Sequence, residues 1–280
     1  MFSAALIVFR ESLEAFLIIS IMVAATRGIA NRRGWIWGGV LAGLLGSALV
    51  ASSMEMIANL ADGMGQEFFN VAILILAIGM LAWHNIWMAK HGRELALQIT
   101  STARAVTDGS RERSVILVVI ALAVLREGSE TVLFLYGVAT NGENGLRDTI
   151  FGAGMGLLSG GFIAGLLYWG LLRVPVRWFF GATGILVLLL AASMASQAAR
   201  MLVQADILPS LGAPLWDTSG VLSQSTVVGS VLHGLIGYEA QPAGTQVLAY
   251  LAVLIAIASG MYWVSHQAKV VKANLSLQKA

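Results

Sequence analysis

The sequence predicts an all-α polytopic membrane protein of seven transmembrane helices, laid out as two inverted three-helix repeats plus a C-terminal helix. Three observations carry that expectation. Of 280 residues, 58% are hydrophobic and only 11% charged, with mean hydropathy +0.80, whereas soluble domains are about one-quarter charged. The apolar residues fall into long runs that match the ~20 residues needed to cross a bilayer. A five-residue charged block, Arg10-Glu11-Ser12-Leu13-Glu14, returns as Arg126-Glu127-Gly128-Ser129-Glu130.

The first run, 2–26, has no basic residue before Arg10 and continues to Thr26, so a retained span is expected rather than a cleaved leader. Span 2, 35–58, carries Gly39 and Gly43 at the small-xxx-small spacing of close helix packing. Span 3, 67–89, holds Trp83-His84-Asn85 near its inner end. That setting reads as a hydrogen-bonded interfacial histidine more readily than as a metal ligand. The 90–113 loop carries five Lys/Arg, and Leu95, Ile99 and Ala103 follow helical spacing within it. A cytoplasmic amphipathic helix lying near anionic headgroups is expected there. Span 4, 114–139, contains the second charged block, and span 5, 149–172, has Gly152, Gly156 and Gly160 in series. Span 6, 178–200, precedes the longest loop, 201–245, whose Ser219–Tyr238 stretch is too weakly apolar to count as a crossing. Asp206, Asp217, His233 and Glu239 in that loop show no coordination spacing. Span 7 covers 246–266.

These boundaries divide the chain into repeat 1 (1–90), an inner loop (91–113), repeat 2 (114–200), an external loop (201–245) and a final span with its tail (246–280). Thirteen of the 17 Lys/Arg fall in 27–34, 90–113, 173–177 and 267–280. The positive-inside rule therefore places the N-terminus outside and the C-terminus in the cytoplasm. An odd span count agrees. The repeats align by offsets of 116 (Arg10 to Arg126), 114 (Trp37 to Phe151) and 111 (Phe68 to Phe179). Three spans per copy invert the second copy, a recurring transporter plan with its site near the midplane.

The charged blocks carry the chemistry. A charge at the bilayer centre costs roughly 2.5–3.5 kcal/mol even on the insertion scale, and ionisable groups at that depth mark a substrate path by default. Residues three and four apart share a helix face. Glu11 and Glu14 therefore point one way, as do Glu127 and Glu130, each pair within reach of Arg10 or Arg126. At 1.5 Å per residue, Glu11 and Glu127 lie roughly 14 and 20 Å deep. A salt-bridged helix contact would explain one block alone. Two blocks together hold four carboxylates and two arginines, an excess of two negative charges. Such a cluster must bind a cation or take up protons. Oxygen-only ligands favour a hard di- or trivalent metal ion, and the absence of cysteine excludes thiolate sites. Glu55, Asp62 and Glu67 form a candidate outer collecting rim, with a solvated acidic loop as the plainer account.

The two blocks resemble the Arg-Glu-x-x-Glu motifs of the oxidase-dependent iron permease family, which includes bacterial Efe-type uptake permeases. The likeness extends over nearly the whole chain. It implies iron import across the cytoplasmic (inner) membrane, with Glu11, Glu14, Glu127 and Glu130 as the metal-binding residues. It also implies periplasmic or external ferroxidase-type partner proteins. Iron would be the transported substrate; no tightly bound cofactor and no nucleic-acid partner are expected. The acidic loop motifs of fungal members have no counterpart here, where Glu94, Asp108 and Glu112 are scattered among basic residues. Two rivals are a transporter of another heavy-metal cation and an intramembrane carboxylate metalloenzyme. Against the latter, di-iron bundles supply Glu-x-x-His pairs and zincins His-Glu-x-x-His, and neither motif is present.

Overall fold

In a computed structural model the backbone is described for all residues except 30, 61–65, 140–145, 171–175, 213, 225 and 278–280. Side chains at 55, 57–60, 66–68, 89–96, 146, 176–180, 265 and 267–277 also fall outside the description. The described residues form eight α-helices: α1 (Phe2–Ala25), α2 (Arg32–Leu60), α3 (Gln66–Thr107), α4 (Ser114–Ala139), α5 (Leu146–Tyr168), α6 (Val176–Gln204), α7 (Val227–Ile236) and α8 (Gly244–Leu277). Stretches of α2, α3, α5, α6 and α8 are long and apolar enough to cross a membrane. Helices α1 and α4 have 24 and 26 residues, or about 36 and 39 Å at the α-helical rise, and each is interrupted only by its charged block. Ten-residue α7 is apolar but, at about 15 Å, too short to cross, so its length rather than the weak apolarity of the surrounding stretch decides the matter.

The chain divides into two compact units, Met1–Asn70 with Glu94–Trp178, and Val71–Arg93 with Phe179–Ala280. In the first, α2 packs along α4 and α1 along α5, while α1 also meets α4. Glycine makes this possible. A Cβ at Gly39 would stand 2.9 Å from Ile120, at Gly43 2.6 Å from Val124 and at Gly46 2.6 Å from Leu125. Along α5, Gly152 abuts Met1 and Ala4, Gly156 abuts Ala5, Val8 and Phe9, and Gly160 abuts Phe9 and Ser12. In both pairs the contact numbers rise together, so α2 runs parallel to α4 and α1 parallel to α5. The ends agree: Arg27 Nη2, just past α1, donates to Tyr168 Oη at the end of α5 at 3.3 Å. Backbone approach of this kind is how helices associate where lipid is as apolar as leucine.

The inner part of α3 departs from the amphipathic reading. Ile99, Ala103 and Val106 are buried in one cluster with Ile18 and Met22 of α1 and Ile116, Ile120 and Val124 of α4. At Ile99 and Ala103 the stripe that looked like a lipid-facing edge is covered by protein, because the ends of α1 and α4 lie against it, while the Leu95 side chain lies outside the described residues. Thr107 Oγ1 donates to Ala25 O at 3.2 Å, tying the ends of α3 and α1 together.

In the second unit, α6 is buried on every side through residues 190–196, most of them small (Ala191, Ala192, Ser193, Ala195). Asn85 of α3 is buried and donates to Gly184 O of α6 at 3.0 Å. Beyond α6, Thr226 Oγ1 accepts from Gly229 N–H and caps α7. Gly237, at φ +74°, ends that helix against Ser193, where no Cβ would fit. Tyr250 Oη of α8 donates to Ile236 O at 2.9 Å.

Candidate metal centre

Helices α1 and α4 present the two charged blocks to one another. The 3.6-residue repeat stacks residues i and i+4, and both anticipated pairs form: Arg10 Nη2 lies 3.2 Å from Glu14 Oε1, and Arg126 Nε 3.2 Å from Glu130 Oε1. Arg10 does more than its spacing suggested. Its Nη1 also reaches Glu11 Oε1 at 3.0 Å, so one guanidinium bridges both carboxylates of its block. Arg126 Nε is 3.7 Å from Glu127 Oε1. The blocks differ in exposure: Arg10 is 3% exposed and Arg126 35%.

All four glutamates are buried. Carboxylate oxygens of Glu11, Glu127 and Glu130 lie within 4.8 Å of one another, a separation at which one cation could be shared. Glu14 is held by Arg10 beside them. Glu127 Oε2 is buried with no hydrogen-bond partner among the described residues. A buried, undonated carboxylate oxygen is costly, and a hard cation on oxygen ligands would satisfy it. Four carboxylates against two guanidiniums leave the same excess of two negative charges inside the helices.

Two contacts brace the blocks from behind, and of their four residues only Ser47 lies outside the motifs singled out from the sequence. Ser12, in the first block, lies against Gly160 of α5; Gly128, at the equivalent place in the second, lies against Ser47 of α2. Ser47 Oγ donates to Gly43 O at 3.0 Å and approaches Val124 O at 3.4 Å. Each contact therefore matches one serine with one glycine, with the roles exchanged. The repeat alignment does not signal this match, since the offset of 114 carries Ser47 onto Gly161, which meets Phe16, rather than onto Gly160.

Of the outer rim, Asp62 lies outside the described residues, as do the side chains of Glu55 and Glu67. His84 is buried, while its neighbour Trp83 is 73% exposed. The polar groups of the long loop are engaged with one another. Asp217 accepts from Ser219 Oγ at 2.5 Å, from Ser219 N–H at 2.9 Å and from Gln241 Nε2 at 2.8 Å. Those hydrogen bonds hold its carboxyl below the usual carboxylate range. Glu239 sits 3.6 Å from Arg200 and 3.8 Å from His233.

Comparison with known proteins follows the same line. The family model described as the iron permease FTR1 family matches residues 1–271. A ferrous iron permease, EfeU, of Escherichia coli O6:H1 is 30% identical over 260 residues, covering 91% of this chain and 93% of that relative. The EfeU of Yersinia pestis is 29% identical over 260 residues, covering 91% of each. A relative from Escherichia coli K12, 30% identical over 264 residues, is named a putative inactive ferrous iron permease. No solved structure matches the chain. The chain belongs to the iron permease FTR1 family.

Proposed function

We propose that this protein imports iron across the cytoplasmic membrane through a buried carboxylate site built from both charged blocks. The observation that carries the reading is the convergence of Glu11, Glu127 and Glu130 oxygens within 4.8 Å. Three carboxylates at that spacing repel one another unless a cation or protons lie between them. Glu14 completes the set, and Arg10 and Arg126 orient the carboxylates while limiting their excess charge. Iron also suits the relatives, which are named ferrous iron permeases.

Seven crossings in two inverted repeats frame the site. Supporting this is the pairing of α2 with α4 and α1 with α5, which exchange under a two-fold relation between repeats. Both pairs run parallel, as alternating crossings require of the second and fourth, and first and fifth, spans. Arginines at 27, 32, 33, 104, 111 and 113 cluster where α1 ends and α2 and α4 begin, in keeping with a cytoplasmic location for that end and an external N-terminus. Iron reaches the outer mouth from ferroxidase-type partner proteins.

The test is metal uptake into proteoliposomes by wild type, Glu127→Gln and Glu130→Gln, offering ferrous, ferric, manganese and lead ions with and without a pH gradient. Iron uptake should fall at least tenfold in both variants while the proteins remain monodisperse. Wild-type uptake by either variant overturns the site. A wild-type preference for manganese or lead over iron overturns the substrate.

A further inference from the structure

The first unit carries a second polar feature, at the opposite end of α1 from its N-terminus. A cavity of about 780 Å³ opens there between the turn after α1, the start of α2 and the α3–α4 turn. That volume lies within the roughly 300–1,000 Å³ of small-molecule sites. Its lining includes Arg27, Arg111 and Arg113, with Glu112 as the one acidic residue and Trp35 as the one aromatic. Glu112 Oε2 accepts from Ser114 Oγ at 3.1 Å. None of the three arginines forms an ion pair with a described residue; Arg27 meets only the Tyr168 hydroxyl. Three guanidiniums against one carboxylate leave two uncompensated positive charges around an open cavity.

Several backbone features hold the cavity in shape. Gly28 at φ +99° and Gly109 at φ +76° turn the chain at its two sides. Arg111 N–H donates to Ala105 O at 3.0 Å, fixing the α3–α4 turn. Thr107, in the lining, donates to Ala25 O and so ties the end of α3 to that of α1. Trp35 packs on the buried cluster of α1, α3 and α4. The arginines are thus presented by short, anchored turns rather than by a loose loop.

We infer that this cavity holds the phosphate-bearing headgroup of an anionic phospholipid. Guanidinium forks match phosphate oxygens in bidentate fashion, and basic pockets between membrane helices take acidic headgroups. Trp35 supplies the amphipathic ring that settles at headgroup level. The cavity lies at the end of helices that would cross the membrane, which favours a lipid over a freely diffusing phosphate ester. The reading does not depend on which cation the carboxylates carry.

Native mass spectrometry of the purified chain in neutral detergent, titrated with phosphatidylglycerol or phosphatidylcholine, tests it. Wild type should retain phosphatidylglycerol, and the Arg27→Gln/Arg111→Gln/Arg113→Gln variant should bind it at least tenfold more weakly. Single Arg111→Gln should fall between, which covers the case of a triple variant that does not fold. Arg147→Gln, outside the cavity, should bind as wild type. Equal retention by wild type and the triple variant overturns the site, as does equal retention of phosphatidylcholine. Displacement of the lipid by equimolar glycerol 3-phosphate or inorganic phosphate overturns the lipid as occupant. Lipid retention is read without transport, so failure here is distinct from failure of the iron site.

Discussion

Gly128 is the point at which the second charged block depends most directly on packing. A Cβ there would stand 2.8 Å from Ser47 Cβ and closer still to Ser47 Oγ, against roughly 3.5–4.0 Å for a comfortable carbon contact. Ser47 cannot turn aside without losing its bond to Gly43 O at 3.0 Å. Relief must come from a shift of α4 relative to α2 by about 1 Å. Overpacking of this kind costs ~1–3 kcal/mol. The better helix propensity of serine over glycine opposes it by roughly 0.5 kcal/mol, so the clash wins. A net loss of about 2 kcal/mol is a factor of up to ~30 in the folded ratio. Gly128→Ser should therefore melt earlier than wild type in detergent and transport iron poorly, because Glu127 and Glu130 flank the displaced residue. Adding Ser47→Gly rebuilds the arrangement seen at Ser12 and Gly160. The double variant should recover most of the loss, a coupling within the ~0.5–3 kcal/mol of contacting residues. A single variant that melts with wild type, or a double variant no better than the single, would refute the packing argument.

The two arginines should respond unequally. Arg10→Ala leaves Glu11 and Glu14 buried without their shared cation and should cost ~3–5 kcal/mol; Arg126→Ala, at a site 35% exposed, should cost distinctly less. Chemical unfolding in mixed micelles measures both, and equal losses would contradict the difference in burial. Arg10→Lys keeps the charge but cannot bridge Glu11 and Glu14 with a planar fork. Its iron uptake should drop while the protein stays folded, and unchanged uptake would show that charge alone suffices. Asp217 offers a pH signature. Its carboxyl is held low by Ser219 and Gln241, so its stabilising effect is full above the ordinary carboxylate pKa of about 3.9 and is lost as pH falls through the depressed value. Wild type should melt above Asp217→Asn at neutral pH, and the two should converge in acid. A gap that persists in acid would count against the hydrogen-bonded carboxylate.

Much of the site was legible because its signal is local. The pairs Arg10–Glu14 and Arg126–Glu130 follow from helical spacing alone, and charges inside apolar runs announce themselves by their cost. The glycine series in α2 and α5 also declared close packing, though not against which helix. Less visible was the double contact of Arg10, since neighbouring residues on a helix do not face each other and a long side chain must fold back to reach Glu11. The burial of His84 was not legible beside Trp83, since neighbouring side chains point to different sides of α3 and one is covered while the other is exposed. The inner stripe of α3 was misread for a related reason: an apolar face beside basic residues looks the same whether lipid or protein covers it.

By itself, the sequence determined a helical membrane protein with two copies of a carboxylate-and-arginine block, because helix length, apolarity and i,i+4 spacing are properties of contiguous residues. Only the tertiary structure decided that α1 lies along α5 and α2 along α4, that Glu11 meets Glu127 and Glu130, and that Arg27, Arg111 and Arg113 gather around one cavity. Those facts depend on contacts between residues about a hundred positions apart. They are set by which glycine lets which backbone approach, and no local pattern records that choice.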